Sequence, residues 1–235
     1  MTEQYLAHYA ESLDQTADFE HAKLAANDIP GGVTGIIKRA LDLAIALPAL
    51  VLLSPFLLAF IILIRTQDGG AAIFSQKRVG LGGREFWCLK LRTMLIDAQD
   101  RLESVLASDP QAAEEWRAHG KLFKDPRITP LGHFLRRSSL DELPQLINVI
   151  RGDMSIVGPR PIQRYECERY EDLLRYYISA RPGITGLWQI SGRSNTSYRQ
   201  RCELDMQYVK GWSLWADIVI LVRTIPAVLR SEGAV

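Results

Sequence analysis

Residues 40–64 form the longest apolar stretch of the chain, and Asp42 is its only charged residue. The stretch is about as long as the ~20 apolar residues with which a helix crosses a bilayer. Pro48 and Pro55 fall inside it, and each removes a backbone hydrogen bond and kinks a helix. Basic residues flank the stretch on both sides, whereas a spanning helix normally has its basic excess on one side.

This stretch allows two topologies. Its length alone is typical of a plain transmembrane helix. A helix-break-helix segment over residues 34–66 also accounts for the prolines and for the basic residues at both ends. We therefore predict a re-entrant segment that enters one leaflet, turns at Ser54-Pro55 and returns to the same face. The Ser54 hydroxyl would bond the carbonyls that the proline frees.

Residues 71–94 have the pattern of two strands around a Gly-rich turn. Lys90 and Arg92 share one face of the second strand, because side chains alternate along a strand. That face is either a solvated surface or an anion-binding site, and the strand alone does not separate the two.

Most of the remaining chain has helical periodicity, so the predicted fold class is α+β, mostly helical with a small β-hairpin. Residues 95–120 are typical of surface helices, and an amphipathic helical stretch follows. Residues 213–229 are apolar but contain Asp217, Arg223 and Pro226. That pattern describes equally a core helix and a helix lying in the membrane interface.

Charge and composition exclude several functions. A formal net charge of +1 excludes a general nucleic-acid binder, which needs a basic excess to displace phosphate counterions. The three cysteines form no C-x-x-C pair, which favours a reducing compartment over a disulfide framework or a zinc site. The four histidines have no ligand spacing, so any metal should be bound by oxygen. Residues 1–33 lack a basic region before an apolar core, and we predict an acidic flexible tail rather than a secretory signal.

The sequence "SSLDELPQL", residues 138–146, places Asp141 beside Glu142. Ser139 and Glu142 have the spacing of a capping box, which would make the acids ordinary helix-start residues. Pro144 argues against that interpretation, since its missing N–H falls where a helix beginning at Ser139 needs one. The helix must begin nearer Pro144 or be distorted at the acids.

Two further motifs place an arginine in a Gly- and Pro-restricted backbone: Arg160 in "VGPRP" and Arg181 in "RPGITG". One such motif is typical of a turn with a solvated arginine. Two of them predict a phosphate site, because a rigidly held guanidinium binds phosphate in bidentate fashion. Its further cations would be Lys90, Arg92, Arg136 and Arg137. Adjacent carboxylates there would supply a nucleophile or base and oxygen ligands for Mg2+.

In this order the motifs resemble the bacterial polyprenyl-phosphate phosphoglycosyl transferases, the bacterial sugar transferase family. After the Ser-Pro membrane segment they are Gln76-x-Arg78-x-Gly80, Lys90-x-Arg92-Thr93-Met94, Leu140 to Gln145, Gly152 to Pro161 and Arg181 to Gly186. The resemblance covers about residues 34 to 230, and it is greatest to short members that begin exopolysaccharide assembly. The chain resembles the minimal form of the family, without additional N-terminal membrane helices.

The resemblance implies transfer of a hexose-1-phosphate, from UDP-galactose or UDP-glucose, to undecaprenyl phosphate with release of UMP. Asp141 corresponds to the family's nucleophile and would form an aspartyl-phosphosugar, with Glu142 as base or metal neighbour. Mg2+ is expected at Asp141. Residues 67–235 would form a catalytic domain with interfacial helices on the cytoplasmic face of the bacterial inner membrane, with no nucleic acid as partner. The apolar membrane face also allows a homo-oligomer.

Two other functions compete with this one. A metal-dependent glycosyltransferase would use the acids to hold a metal, transfer the sugar alone and release UDP. A non-catalytic membrane scaffold of a polysaccharide assembly complex would tolerate Asp141→Ala. Asp153 is left open as a structural hydrogen-bond acceptor or a member of the site.

Overall fold

The computed structural model describes residues 34–120, 122–192 and 197–229, so the tail predicted over residues 1–33 lies outside the described residues. The helices are α1 Ile36–Asp68, α2 Ala98–Ser108, α3 Pro110–His119, α4 Pro130–Arg137, α5 Gln145–Arg151, α6 Leu174–Ile178, α7 Leu187–Ile190, α8 Tyr198–Lys210 and α9 Leu214–Leu229. The strands are β1 Ile73–Val79, β2 Glu85–Leu91, β3 Ser155–Val157 and β4 Gly183–Thr185, and 3₁₀ segments cover Leu81–Gly83, Leu140–Glu142 and Arg164–Leu173. The mostly helical α+β class is confirmed for these residues.

Two small sheets accompany the helices. The predicted hairpin is confirmed, because β1 pairs with β2 around a turn in which Gly82 has a φ of 64°. The second sheet was not predicted: β3 and β4 run parallel, with Ser155 opposite Gly183 and Val157 opposite Thr185. Each of these strands is only three residues long, too short for the period-2 pattern that marks a strand in sequence.

No interruption is seen at Ser54-Pro55, because α1 continues from Ile36 to Asp68, and the re-entrant path of this segment stays a prediction. A proline deletes only its own N–H bond, and the neighbouring turns keep theirs, so a long apolar helix tolerates it. Only 6% of the most apolar window of α1 is buried, whereas the core helix of a soluble protein is mostly buried. Its 33 residues span about 50 Å, more than the ~30 Å hydrocarbon core, so α1 is long enough for either topology.

The chain forms two compact units. The first comprises the described parts of residues 1–52, 75–89 and 145–233, and the second comprises residues 53–74 and 90–144. The division into residues 1–33, 34–66 and 67–235 stays a prediction.

In the first unit, the beginning of α1 is held by buried charges. Lys38 Nζ lies 2.8 Å from Asp217 Oδ2 and 3.2 Å from Asp42 Oδ1. Asp42 Oδ1 also accepts hydrogen bonds from Ser155 Oγ and the Ile156 amide, at 2.8 and 3.0 Å. The single charge of the apolar stretch therefore anchors α1 to polar partners, as an ionisable residue in such a segment requires.

Close backbone contact explains the glycines of the two arginine motifs, which both lie in the first unit. A Cβ added at Gly158 would overlap the Arg181 carbonyl oxygen, and one added at Gly183 would overlap the Gly158 amide nitrogen. The motifs therefore pair with each other through β3 and β4, and their glycines are required for packing.

The core of the second unit joins the second half of α1 to α4. Leu57, Phe60, Ile61 and Ile64 are spaced by three and four residues, so they form one stripe along α1. They pack in one cluster with Ala72, Leu91, Leu131, Leu135 and Leu140. The end of α1 is fixed by Arg92, which forms a bidentate ion pair with Asp68. This packing brings α1 against the helix that leads into the predicted dyad.

Candidate active site

The two acids lie on a short, constrained turn in the second unit. The preceding helix α4 begins at Pro130 after an N-cap, Thr129, whose hydroxyl accepts a bond from the Gly132 amide at 2.9 Å. Ser139 then adopts the left-handed region at φ 57° and ψ 18°, and Asp141 and Glu142 follow in a single 3₁₀ turn. A non-glycine residue in that region is strained by about 1–3 kcal/mol and persists only where its surroundings impose it.

The capping-box interpretation is not supported, because the Ser139 side chain makes no capping hydrogen bond. The next helix, α5, begins at Gln145 directly after Pro144. This agrees with the prediction that the helix starts nearer the proline. The acids therefore precede the helix and do not lie in its first turn.

Lys90 lies close to both acids. Its Nζ lies 2.7 Å from Glu142 Oε1 and 3.9 Å from Asp141 Oδ2. The Asp141 side chain is only 12% exposed, whereas that of Glu142 is 24% exposed. The structure thus brings together Lys90, Asp141 and Glu142, with the aspartate the more deeply placed acid.

Burial dominates the electrostatics of Asp141 and raises the pKa of its carboxyl to about 6. The positive charge of Lys90 works in the opposite direction, the negative charge of Glu142 raises the pKa further, and Arg136 lowers it. Burial also lowers the pKa of the Arg136 guanidinium, whose Nε donates to Thr93 Oγ1 at 2.9 Å. At neutral pH the Asp141 carboxylate is therefore mainly ionised but desolvated.

The other predicted cations of the second unit differ in their surroundings. Arg92 is engaged by Asp68 and donates through Nε to the Ala71 carbonyl at 2.7 Å, so it ties the end of α1 to the hairpin. Arg137 is exposed at the end of α4. Sequence analysis missed Thr93 as the residue that holds Arg136, because a threonine within "KLRTM" carries no signal for a partner 43 residues away.

Arg160 and Arg181 belong to the first unit. Arg160 is half-buried with its guanidinium 5.3 Å from the centre of the Trp188 ring, a cation–π distance. Arg181 Nε donates to the Gly152 carbonyl at 2.9 Å, just beyond the end of α5. Asp153 accepts a hydrogen bond from Asn148 Nδ2 at 3.2 Å, which agrees with a structural acceptor.

The number of carboxylates at this turn determines what kind of Mg2+ site it could form. Among the described residues no group of three or more His, Cys, Asp or Glu side chains lies together. Mg2+ commonly binds one or two carboxylates together with substrate phosphates. Asp141 and Glu142 therefore suit a metal shared with a bound diphosphate, and they do not suit one held by protein ligands alone.

Comparisons with known proteins agree with these motifs. The family model described as bacterial sugar transferase matches residues 33–231. The UDP-galactose-lipid carrier transferase of Erwinia amylovora is 50% identical over 209 residues, which cover 89% of this chain and 44% of that protein. Exopolysaccharide production protein ExoY of Rhizobium meliloti is 49% identical over 86% of this chain and 89% of its own length.

A third relative, the UDP-glucose:undecaprenyl-phosphate glucose-1-phosphate transferase of Caulobacter vibrioides, is 39% identical over 88% of this chain and 74% of that protein. The chain spans less than half the length of the Erwinia amylovora relative but most of the length of ExoY. The family match extends over nearly all the described residues, including the constrained turn and both arginine motifs. The chain therefore belongs to the bacterial sugar transferase family.

Proposed function

We propose that this protein is a phosphoglycosyl transferase that moves a hexose-1-phosphate from a UDP-sugar to undecaprenyl phosphate and releases UMP. The names of its relatives support both the donor and the acceptor, with galactose or glucose as the sugar. The name of ExoY supports a role in exopolysaccharide production, in which we propose that this transfer is the first membrane step.

The proposal depends mainly on the surroundings of the Asp141 carboxylate. Its carboxylate is desolvated, lies on a turn fixed by a strained Ser139, and has cations at Lys90 and Arg136. A desolvated carboxylate is a stronger nucleophile than a hydrated one, and the cations keep it ionised at neutral pH. The same cations are suited to neutralise charge that develops on phosphate oxygens.

The proposed first step is attack by an Asp141 carboxylate oxygen on the sugar-side phosphorus of the UDP-sugar. A new P–O bond forms to Asp141 while the bond from this phosphorus to the bridging oxygen breaks. UMP leaves with that oxygen and the electron pair. The product on the protein is an acyl phosphate that still carries the sugar.

In the second step a phosphate oxygen of undecaprenyl phosphate attacks the same phosphorus, and the P–O bond to Asp141 breaks. The carboxylate is regenerated and the lipid carries the sugar through a diphosphate. Glu142, held by Lys90 beside the nucleophile, is placed to accept any proton that the attacking phosphate loses. Such a two-step route predicts ping-pong kinetics.

Mg2+ bound at Asp141 and the diphosphate would neutralise phosphate charge, as metals do in other phosphoryl transfers. Arg136 and Arg137 are proposed as phosphate ligands from the second unit. Within the first unit taken by itself, Arg160 is proposed as a phosphate ligand, since a guanidinium held over an indole ring is pre-organised. Arg92 and Arg181 are engaged with protein partners, and we propose that they position neighbouring segments rather than bind substrate.

We also propose that α1 enters and leaves the cytoplasmic face of the inner membrane. Basic residues at both ends of the apolar stretch support this path, with Lys38 and Arg39 before it and Arg65 after it. In α9, exposed Trp215, Ile218, Val222 and Ile225 recur at helical spacing, which supports an interfacial position for that helix.

Incubation of the purified protein in detergent with Mg2+ and UDP-galactose or UDP-glucose, with and without undecaprenyl phosphate, tests the proposal. UMP should appear, and the intact mass of protein trapped without acceptor should rise by one hexose phosphate. Asp141→Asn should abolish both signals, whereas Asp100→Asn, at an exposed position of α2, should change neither. Release of UDP would identify a conventional glycosyltransferase. Full activity of Asp141→Asn would overturn the covalent step.

A further inference from the structure

We infer that Phe134 and Phe60 form the docking surface for the isoprenoid chain of the lipid acceptor, and that Arg137 and Arg136 receive its phosphate. The inference rests on the proposed function and assigns a place in the second unit to one of the two substrates. It is carried by an exposed aromatic ring, its contact with the membrane helix, and the order of charges after it.

Helix α4 has buried and exposed apolar residues. Leu135 is fully buried and Leu131 packs in the same core cluster, together with Ile64 of α1. Phe134 borders this packed face, one helical turn after Leu131, and is 54% exposed. More than half of this phenyl ring is therefore open to an apolar partner.

The partner is indicated by α1. The Phe134 ring lies 6.4 Å from the ring of Phe60, centre to centre, at an angle of 47°. Phe56 is one helical turn before Phe60 and is 60% exposed. Phe134 therefore continues the apolar surface of the membrane helix onto the helix that leads to the active turn.

Charge then follows at once along α4. Arg137 is one turn after Phe134 and is exposed, while Arg136 is half-buried, bonded to Thr93 and electrostatically coupled to Asp141. Hydrocarbon, cation and carboxylate thus succeed one another within eight residues, from Phe134 to Asp141. This order complements an anionic lipid, whose chain would lie on the rings while its phosphate meets the arginines beside the nucleophile.

A protein partner is less well matched to this surface. The apolar area is continuous with a helix that is long and apolar enough to enter a membrane, and its polar boundary is cationic. Those two features favour a phosphate-bearing lipid over the face of a second copy of the chain, which would bring the same cations into contact with each other.

Steady-state kinetics with Phe134→Ala in detergent test the inference. With UDP-sugar saturating, kcat/KM for undecaprenyl phosphate should fall roughly five- to tenfold, the loss expected for apolar contact over about half a phenyl ring. The KM for UDP-sugar should be unchanged. Exchange of labelled UMP into UDP-sugar without acceptor, which reports the first step alone, should also be unchanged.

Phe123→Ala is the matched control, because Phe123 belongs to the same unit, is 64% exposed and lies outside α4. Phe134→Leu keeps apolar area and should retain most of the acceptor kcat/KM, which also provides a folded variant if the alanine variant is unstable. An equal loss in the exchange reaction, an unchanged acceptor kcat/KM, or the same defect in Phe123→Ala would overturn the inference. So would a change in oligomeric state on size-exclusion chromatography without an acceptor defect.

Failure of the proposed function has a different signature. Wild-type protein would then release no UMP and show no exchange, whatever residue stands at position 134. A wild type that performs both reactions while Phe134→Ala remains normal contradicts the docking surface alone.

Discussion

Lys90 Nζ lies 2.7 Å from Oε1 of Glu142, so its shortest ion pair is with the more exposed acid of the turn and not with the proposed nucleophile. This arrangement shares one cation between two carboxylates. Glu142 attracts Lys90 towards the turn, and it also adds a negative charge that raises the pKa of Asp141. The two acids are therefore electrostatically coupled.

Glu142→Gln removes that negative charge while preserving the size of the side chain. The pKa of Asp141, about 6 in the native protein, should fall, because the like charge is lost and Lys90 remains. The acid limb of kcat/KM for UDP-sugar, which reports the free enzyme, should then move to lower pH. We also expect kcat at pH 7.5 to fall by ~10²-fold, since Glu142 is the proposed proton acceptor of the second step.

Two control variants test whether the lost charge of Glu142 causes this shift, one conservative and one distant from the turn. Glu142→Asp keeps the charge and should leave the acid limb near its native position, and Glu103→Gln on exposed α2 should leave the whole profile unchanged. An acid limb that moves upward in Glu142→Gln would contradict the coupling between the two carboxylates.

Asp141 should lower the stability of the protein above pH 6. Its pKa rises from 3.8 in the unfolded chain to about 6 in the fold, so the folded state binds the proton more tightly. The cost of holding the charged form is absent below pH 3.8, grows between pH 4 and pH 6, and is fully present above pH 6. Two pKa units correspond to at most about 3 kcal/mol.

Asp141→Asn removes this cost, and its melting temperature should exceed that of wild type at pH 7.5. The difference should shrink at pH 4.5, where the native carboxyl is largely protonated. Thermal unfolding in detergent at both pH values measures it, with Asp100→Asn as the exposed control. An advantage that is equal at the two pH values would show that desolvation of the carboxylate is not its source.

Several features were accessible from sequence because their causes are local. The apolar stretch, the hairpin around its glycines and the conflict between Ser139 and Pro144 all depend on neighbouring residues. The conflict correctly indicated that Glu142 precedes the helix. The unbroken course of α1 was not accessible, because the kinking tendency of Pro55 competes with hydrogen bonds in the turns around it.

Partners distant in sequence account for the other differences. Arg92 and Arg181 have the residue type of phosphate ligands, and only the fold shows that Asp68 and the Gly152 carbonyl engage them. The pairing of β3 with β4 likewise depends on contact between Gly158 and Gly183, 25 positions apart. In both cases the signal lies in tertiary contact, which a single sequence does not contain.

Arg181 and Arg160 should therefore respond differently to substitution. Arg181→Ala leaves the Gly152 carbonyl without its donor and should lower stability by about 1–2 kcal/mol. Arg160→Ala should leave the melting temperature near wild type and raise the KM for UDP-sugar. Thermal unfolding and donor titrations on the two variants separate the roles. A normal melting temperature together with a raised donor KM in Arg181→Ala would restore that residue to the phosphate site.

Ser139 tests whether the shape of the turn matters for activity. Ser139→Gly suits a φ of 57° and should keep both stability and UMP release close to wild type. Ser139→Val places a β-branched side chain in the same conformation and should cost about 1–2 kcal/mol of stability. We expect UMP release to fall by more than the folded fraction does, because the turn orients Asp141. Equal melting temperatures and rates in the two variants would show that the left-handed residue is not required.

The topology of α1 can be read from its two ends. Ile36 is 89% exposed, Gln67 is exposed near the other end, and Cys88, Cys167 and Cys202 are buried, so single cysteines at 36 and 67 should label above a low background. A membrane-impermeant maleimide should modify both from the cytoplasmic side, in inverted vesicles and not in intact cells. Labelling from opposite sides would establish a spanning helix.

Repeating the experiment with Pro55→Ala determines whether that proline directs the path of α1. If both ends remain cytoplasmic in the variant, Pro55 is not what returns α1 to this face of the membrane.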